Sequence, residues 1–123
     1  MFFGSKKSAL RDFTPAELHA LLVKHEVTLV DVREPGEFAG ARIHGAVLFP
    51  LSTFDPAALP HDPARPIVLQ CGSGRRSRTA ADICRKAGVE VAGHLAGGIG
   101  AWAQAGLPVT SVDPASGKVI DRP

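Results

Sequence analysis

Cysteine is scarce in this chain, with two among 123 residues, Cys71 and Cys84. A secreted domain of this size that depends on disulfides would normally carry more of them. Two cysteines are also too few for a four-cysteine zinc site, and no histidine pair stands at zinc-finger spacing from them. We therefore predict a reduced protein that needs no metal and no other cofactor.

A large charge excess and long apolar runs are missing as well. The formal net charge is +2, whereas nucleic-acid binders usually carry a much larger basic excess. No stretch approaches the roughly 20 apolar residues of a membrane span, and residues 1–7 contain no apolar segment long enough for a signal peptide. We expect a cytoplasmic protein that binds neither nucleic acid nor a membrane.

Predicted strands alternate with predicted helices along the chain. Hydrophobic residues make up 45% of it, enough for the core of one domain. A helix is predicted from Thr14 because Thr14, Pro15 and Glu17 form an N-terminal capping signal. Strands are predicted at 28–32, 46–49, 67–70 and within 89–95, and further helices after residue 34, at 75–87 and after residue 98. The alternation predicts an α/β fold with a mostly parallel central sheet and helices on both faces.

The predicted domain does not fill the whole chain. Residues 1–12 are interpreted as a loose lead-in, residues 13–109 as the domain, and residues 110–123 as a loosely packed tail. In the helix at 75–87 the inward positions are predicted to be Ala80, Ala81, Ile83, Cys84 and Ala87.

One loop carries the strongest chemical signal. The strand at 67–70 ends directly before Cys71, and the following residues are Gly72, Ser73, Gly74, Arg75, Arg76 and Ser77. Ligands of parallel α/β sheets bind beyond the carboxyl ends of the strands. The glycines allow backbone N–H groups to converge on one point, and the next helix directs its positive N-terminus there.

A thiol in that position should ionise readily, so we predict a lowered pKa and a nucleophilic role for Cys71. The alternative, a small and inert core residue, is common for a lone cysteine. The glycines and arginines beside Cys71 favour the nucleophile. Cys84 lies on the apolar face of the helix and is interpreted as core filler, although a resolving thiol is the other reading.

At this point the sequence resembles the rhodanese family of sulfurtransferases, from about Thr14 to Val109. The matching pieces are Leu29–Glu34 with Glu37-Phe38, Ile43–Ala46, the loop Cys71–Ser77, and Leu95–Ile99 with Ala101-Trp102 and Gly106–Val109. Arg42 stands where the family often has histidine, and His44 where it often has proline. These positions are usually structural, so the departure weakens no catalytic assignment.

The resemblance implies a two-step sulfur transfer. Cys71 takes the outer sulfur of thiosulfate or a similar anionic donor and becomes a persulfide, and a thiol or cyanide then accepts that sulfur. A protein thiol is a further candidate acceptor. The backbone of Gly72, Ser73, Gly74, Arg75 and Arg76 would stabilise the persulfide, Ser77 completes the loop, and Arg75 and Arg76 would guide the donor. For Asp31 and Arg33 the family favours structural bracing over catalysis.

Two other functions and several single residues have competing interpretations. A cysteine phosphatase needs five residues between cysteine and arginine, and here only four separate Cys71 from Arg76. A non-catalytic or relay module is the second rival, but inactive relatives typically lose the loop cysteine. Trp102 is interpreted as a core anchor. The five histidines, His19, His25, His44, His61 and His94, are interpreted as mostly surface residues.

Overall fold

The computed structural model describes residues 10–122 and shows a parallel sheet of five strands at the centre of the domain. The strands, in chain order, are β1 (Asp12–Phe13), β2 (Thr28–Asp31), β4 (Val47–Leu48), β5 (Ile67–Gln70) and β6 (Gly93–Leu95), and their order across the sheet is β1-β6-β5-β2-β4. Every neighbouring pair in this sheet is parallel. The prediction of a mostly parallel central sheet is therefore confirmed.

Helices cover both faces of this sheet. The helices are α1 (Pro15–Val23), α2 (Pro35–Gly40), α3 (Arg75–Lys86) and α4 (Gly98–Gln104), and short 3-10 turns lie at Leu51–Thr53 and Pro56–Ala58. Alternate residues of β5 face opposite ways: Leu69 packs on the α3 side, whereas Val68 packs with Leu18 of α1 and Trp102 of α4. Trp102 is 1% exposed, so it anchors the core as predicted.

The capping signal at Thr14 forms as predicted. The backbone N–H of Glu17 donates to the Thr14 hydroxyl, and the N–H of Thr14 donates to the Glu17 carboxylate. These two bonds satisfy donors that the first turn of a helix otherwise leaves free. α1 consequently begins at Pro15.

The interpretation of residues 110–123 as a loose tail is wrong for its described part. β7 (Val109–Val112) and β8 (Val119–Arg122) form an antiparallel hairpin, and β7 also pairs with β3 (Ala41–Arg42) in a second sheet of order β3-β7-β8. Backbone pairing over these strands requires little side-chain burial, which explains why a mostly polar segment is ordered.

Two smaller predictions also need correction. Asp12 was assigned to the loose lead-in, yet it pairs with His94 at the edge of the central sheet; residues 1–9 of that lead-in lie outside the described residues. Ala87 was predicted to face inward, yet it is exposed. α3 ends at Lys86, so Ala87 is already its C-terminal cap and the chain turns away at Gly88.

Candidate active site

Cys71 lies at the carboxyl end of β5, the central strand of the sheet, and α3 begins four residues later. Gly74 is the residue before the helix and has φ of +104°, a conformation that favours glycine. Within the described part of the chain, no side chain caps this helix. Its first N–H groups therefore remain available to an anion held by the loop.

The thiol of Cys71 points into this cradle. The N–H of Gly74 donates to Sγ at 3.0 Å, and the Ser77 hydroxyl lies 3.5 Å from Sγ. Cys71 is 1% exposed. That burial raises the pKa of the thiol, but hydrogen bonds from Ser77, Gly74 and Ser73 lower it by more, so its pKa lies below the ordinary value. A donor-rich cradle of this kind favours the thiolate.

The back of the loop is fixed by the start of α4. The N–H of Ile99 donates to the Cys71 carbonyl at 2.8 Å, and the N–H of Gly100 donates to the Gly72 carbonyl at 3.1 Å. Gly98 lies so close to this backbone that any side chain there would collide with the Cys71 and Gly72 carbonyls. The two carbonyls therefore point toward the start of α4.

The three arginines after the loop have different environments. Arg76 reaches back over Gly72 and donates to both carboxylate oxygens of Glu37, at 2.7 and 3.0 Å. The pair lowers the pKa of Glu37 to about 2, chiefly through the hydrogen bond from Arg76. Arg78 lies 3.6 Å from Asp12. Arg75 is exposed, and it forms no ion pair with any residue in the described range 10–122.

Asp31 and Arg33 form a buried ion pair at the end of β2. The two side chains are 0% and 6% exposed, and the closest approach, from Nη2 to Oδ2, is 2.9 Å. Arg33 also donates to the backbone carbonyls of Ala41, at 2.6 Å, and Glu37, at 3.5 Å. These bonds join β2 to α2 and β3, and neither side chain contacts Cys71. The geometry favours bracing over catalysis.

Cys84 sits within the α3 side of the core and is 0% exposed. Burial raises the pKa of its thiol to about 11. Cys71 and Cys84 are both free thiols. The pKa of Cys71 is lowered, as the sequence predicted, whereas that of Cys84 is raised, and the geometry around Cys84 is that of core filler.

The interpretation of the histidines as mostly surface residues is wrong for His94, which is 1% exposed. His94 Nδ1 lies 2.7 Å from the Ser77 hydroxyl, and His94 Nε2 lies 2.7 Å from Asp12 Oδ1. Strands β1 and β5 flank β6 and α3 packs against it, so this side chain is enclosed on most sides. A polar residue between Gly93 and Leu95 in an apolar strand was the signal that the sequence offered.

A shallow cavity of about 370 Å³ opens beside this histidine. Its lining residues come from β1, the loop, α3, β6 and the segment after β6: Asp12, Ser73, Gly74, Arg75, Arg78, His94, Ala96 and Gly97. Within residues 10–122, no group of three or more histidine, cysteine or acidic side chains is placed to hold a metal ion. None of the helices in that range is both long and apolar enough to cross a membrane.

Comparisons with known proteins agree with this geometry. The profile of the family described as Rhodanese-like domain matches residues 14–105. The uncharacterized protein slr1261 of Synechocystis is 48% identical over 94 residues, which cover 76% of this chain and 52% of that protein. A sulfurtransferase of Allochromatium vinosum is 36% identical over 88 residues, which cover 70% of this chain and 80% of that protein. The chain thus spans about half the length of the Synechocystis relative.

Solved structures show the same fold. The crystal structure of a rhodanese-related protein from Thermoplasma volcanium superimposes with a TM-score of 0.70 and 28% sequence identity. The superposition covers 80% of this chain and 96% of that one. The arrangement of five parallel strands with helices on both faces is therefore shared by proteins of that kind.

Proposed function

Because this chain belongs to the rhodanese-like domain family of sulfurtransferases, we propose that it transfers sulfane sulfur through a persulfide on Cys71. The observation that carries the proposal is the hydrogen bond from the Gly74 N–H to Sγ at 3.0 Å, at a strand end where the next helix has no side-chain cap among residues 10–122. A thiolate and a persulfide anion are both stabilised by such donors. The Gly72–Ser77 loop is the binding site in this proposal.

The transfer runs in two displacements at sulfur. The Cys71 thiolate attacks the outer sulfur of thiosulfate, the new S–S bond forms, and sulfite leaves with the electron pair of the old one. A thiolate or cyanide then attacks the terminal sulfur of the persulfide, and Cys71 leaves as thiolate. We include a protein thiol among the acceptors. The free thiol that the cycle needs persists in a reducing compartment, so we propose a cytoplasmic reaction.

We propose Arg75 as the guide for the anionic donor. Arg75 is exposed and lines the cavity beside the loop, so it adds positive charge next to the loop that holds Cys71. Arg76, which the sequence suggested for the same role, is held by Glu37 in two short hydrogen bonds. Its charge is compensated by the carboxylate, so its contribution to steering is smaller than that of Arg75.

The experiment is intact mass spectrometry of the full chain after incubation with thiosulfate. Wild type and Cys84→Ser should gain the mass of one sulfur atom and lose it when cyanide is added, with formation of thiocyanate. Cys71→Ser should gain none. A folded wild-type protein without an adduct would contradict the proposal, and equal adducts in both variants would contradict the choice of cysteine.

A parallel assay addresses the phosphatase alternative. The four residues between Cys71 and Arg76 make a tighter loop than a phosphate needs, and Arg76 is already paired with Glu37. We expect no hydrolysis of an aryl phosphate. Turnover of that ester that disappears in Cys71→Ser would replace sulfur transfer by phosphate chemistry.

A further inference from the structure

His94 is a buried titratable side chain that the proposed sulfur transfer does not use. It is 1% exposed, and each of its ring nitrogens has a partner at 2.7 Å: the Ser77 hydroxyl at Nδ1 and the Asp12 carboxylate at Nε2. Ser77 in turn lies 3.5 Å from the Sγ of Cys71. A continuous chain of hydrogen bonds therefore joins the thiol to Asp12.

The position of Asp12 determines where the histidine carries its proton. A carboxylate only accepts hydrogen bonds, so Nε2 must carry a hydrogen to make the 2.7 Å contact with Asp12. A neutral His94 then has an unprotonated Nδ1. In that form Nδ1 accepts, and the Ser77 hydroxyl must donate to it.

This arrangement suits Cys71 as a thiol. The S–H group of Cys71 donates to the Ser77 oxygen, and the single proton of Ser77 points to Nδ1. Every polar hydrogen in this series of hydrogen bonds, from Cys71 to Asp12, then has an acceptor, and His94 is neutral.

The arrangement changes when Cys71 becomes a thiolate. The sulfur can then only accept, so the Ser77 hydroxyl turns toward it and no longer donates to His94. Nδ1 remains 2.7 Å from the Ser77 oxygen and must carry a hydrogen of its own. The carbonyl of Gly74, 3.2 Å away, is another acceptor for the Ser77 proton, and that orientation also requires a protonated Nδ1. A neutral His94 therefore matches only the thiol.

We propose that His94 takes up the proton of Cys71 through Ser77, with Asp12 fixing the orientation of the ring. The S–H bond breaks and leaves its electron pair on sulfur; that proton passes to the Ser77 oxygen as the proton of Ser77 passes to Nδ1. The inference rests on the proposed function, because the thiolate so formed is the nucleophile of the transfer. His94 is a positioning residue, since it reaches the sulfur only through Ser77.

Charged groups around His94 support this transfer, and the exposed Asp12 connects the ring to water. The imidazolium would lie between the Asp12 carboxylate, from β1, and the Cys71 thiolate, at the end of β5. From α3, Arg78 contacts Asp12 at 3.6 Å and Arg75 lines the neighbouring cavity. Asp12 is 56% exposed and borders that cavity. A proton on His94 can therefore exchange with water at the Asp12 side without crossing the sulfur-binding loop.

The test is the protonation state of the His94 ring, read from its nitrogen chemical shifts in isotope-labelled full-length protein. In wild type, both ring nitrogens should remain protonated over a pH range in which the His94 of Cys71→Ser is already neutral and protonated at Nε2. The exposed His44 and His61 serve as references in the same spectra. Coincident titration of His94 in the two proteins, within a factor of two in proton affinity, would overturn the proposal.

Ser77 variants test the path of the proton. Ser77→Ala removes the connecting hydroxyl, so its His94 should titrate as in Cys71→Ser, and alkylation of Cys71 near neutral pH should slow about tenfold. Ser77→Thr keeps the hydroxyl and should restore both readouts. If Ser77→Ala does not fold, the comparison of wild type, Cys71→Ser and Ser77→Thr still shows whether the protonation of His94 depends on Cys71. Wild-type behaviour in a folded Ser77→Ala would overturn the relay.

The relay and the sulfur transfer can fail separately. Persulfide formation is measured by mass on the same samples. A persulfide in wild type together with uncoupled titration of His94 would overturn the relay alone. Coupled titration with no persulfide from any sulfur donor would leave the proton path intact and overturn the proposed function.

Discussion

Arg76 lies across the mouth of the cysteine loop, and both of its terminal nitrogens donate to the carboxylate of Glu37, at 2.7 and 3.0 Å. Glu37 belongs to α2 and Arg76 to α3, and the two residues are 39 positions apart in the chain. This bidentate pair therefore links two elements above the loop. The charge of Arg76, which lies beside Gly72, is therefore compensated by the Glu37 carboxylate.

The acid dependence of stability should reveal this pair. The pKa of Glu37 in the folded protein is lowered from 4.5 to about 2, so its stabilising contribution is complete above about pH 4.5 and is lost as the pH falls toward 2. Because both side chains are more than a third exposed, solvent screening limits the contribution to about 1 kcal/mol or less.

Urea unfolding of wild type and Glu37→Gln over this pH range measures the effect. The difference in free energy of unfolding between the two should shrink as the pH falls from 4.5 toward 2. Glu26→Gln, at an exposed site without an ion pair among residues 10–122, is the matched control. A difference that stays constant with pH would contradict the pairing.

The positive charge of Arg75 should increase the rate with thiosulfate. Arg75→Gln removes an exposed and uncompensated charge at the cavity, so kcat/KM should fall roughly three- to tenfold at low salt, with a weaker salt dependence. Arg85→Gln removes one charge at the other end of α3 and is the control. Equal losses in the two variants would show that only total charge matters.

Alkylation should separate the two cysteines. Hydrogen bonds lower the pKa of Cys71 despite its burial, whereas burial raises the pKa of Cys84 to about 11. At neutral pH iodoacetamide should modify Cys71 at least roughly a hundredfold faster, because two pKa units correspond to a hundredfold in thiolate. Peptide mass mapping over time gives both rates. Similar rates would show that the cradle does not activate Cys71.

Loss of the Arg33 side chain should destabilise the fold strongly. Arg33→Met leaves the fully buried Asp31 carboxylate without its partner, a change that typically costs about 3–5 kcal/mol. Denaturant unfolding measures this loss, and Arg65→Met at the surface should change stability by under about 0.5 kcal/mol. A loss below about 1 kcal/mol for Arg33→Met would contradict the bracing role.

Gln70 offers a prediction of opposite sign. Its side chain is fully buried directly before Cys71, and neither its amide nitrogen nor its amide oxygen has a hydrogen-bond partner among residues 10–122. Gln70→Met keeps the shape and removes both polar atoms, so the free energy of unfolding should rise by about 1–3 kcal/mol. Gln104→Met at an exposed helix end is the control. Destabilisation by Gln70→Met would mean that the amide is satisfied inside the folded protein.

Local signals in the sequence were enough for the strand, loop and helix that hold Cys71. Ile67–Leu69 is a continuous apolar run that begins directly after Pro66 and ends two residues before Cys71, and the structure has β5 at residues 67–70. Glycine at position 74 is favoured by the local backbone conformation, which has a positive φ. α3 ends within one residue of its predicted boundary. These features depend on neighbours in the chain, so a sequence pattern can record them.

The remaining features depend on distant neighbours. β1 has two residues, too few for any periodicity, and it becomes a strand only because β6 lies beside it. The contact of His94 with Asp12 joins residues 82 positions apart, and that of Arg76 with Glu37 joins residues 39 apart. Contacts between residues so far apart in the chain cannot be predicted from composition or from the spacing of nearby residues. The strands β7 and β8 were missed because their polar residues resemble a tail.

The bonds from Ile99 and Gly100 to the carbonyls behind the loop have a dynamic consequence. A peptide plane can rotate only if its carbonyl is free to leave its partner, and both of these carbonyls are held. The N–H of Ser73, on the opposite edge of the Gly72–Ser73 plane, hydrogen-bonds to the sulfur and therefore stays turned toward it whether or not an anion is present. Arrival of a sulfur atom would then require no peptide flip, and empty and sulfur-loaded loops should share one backbone conformation.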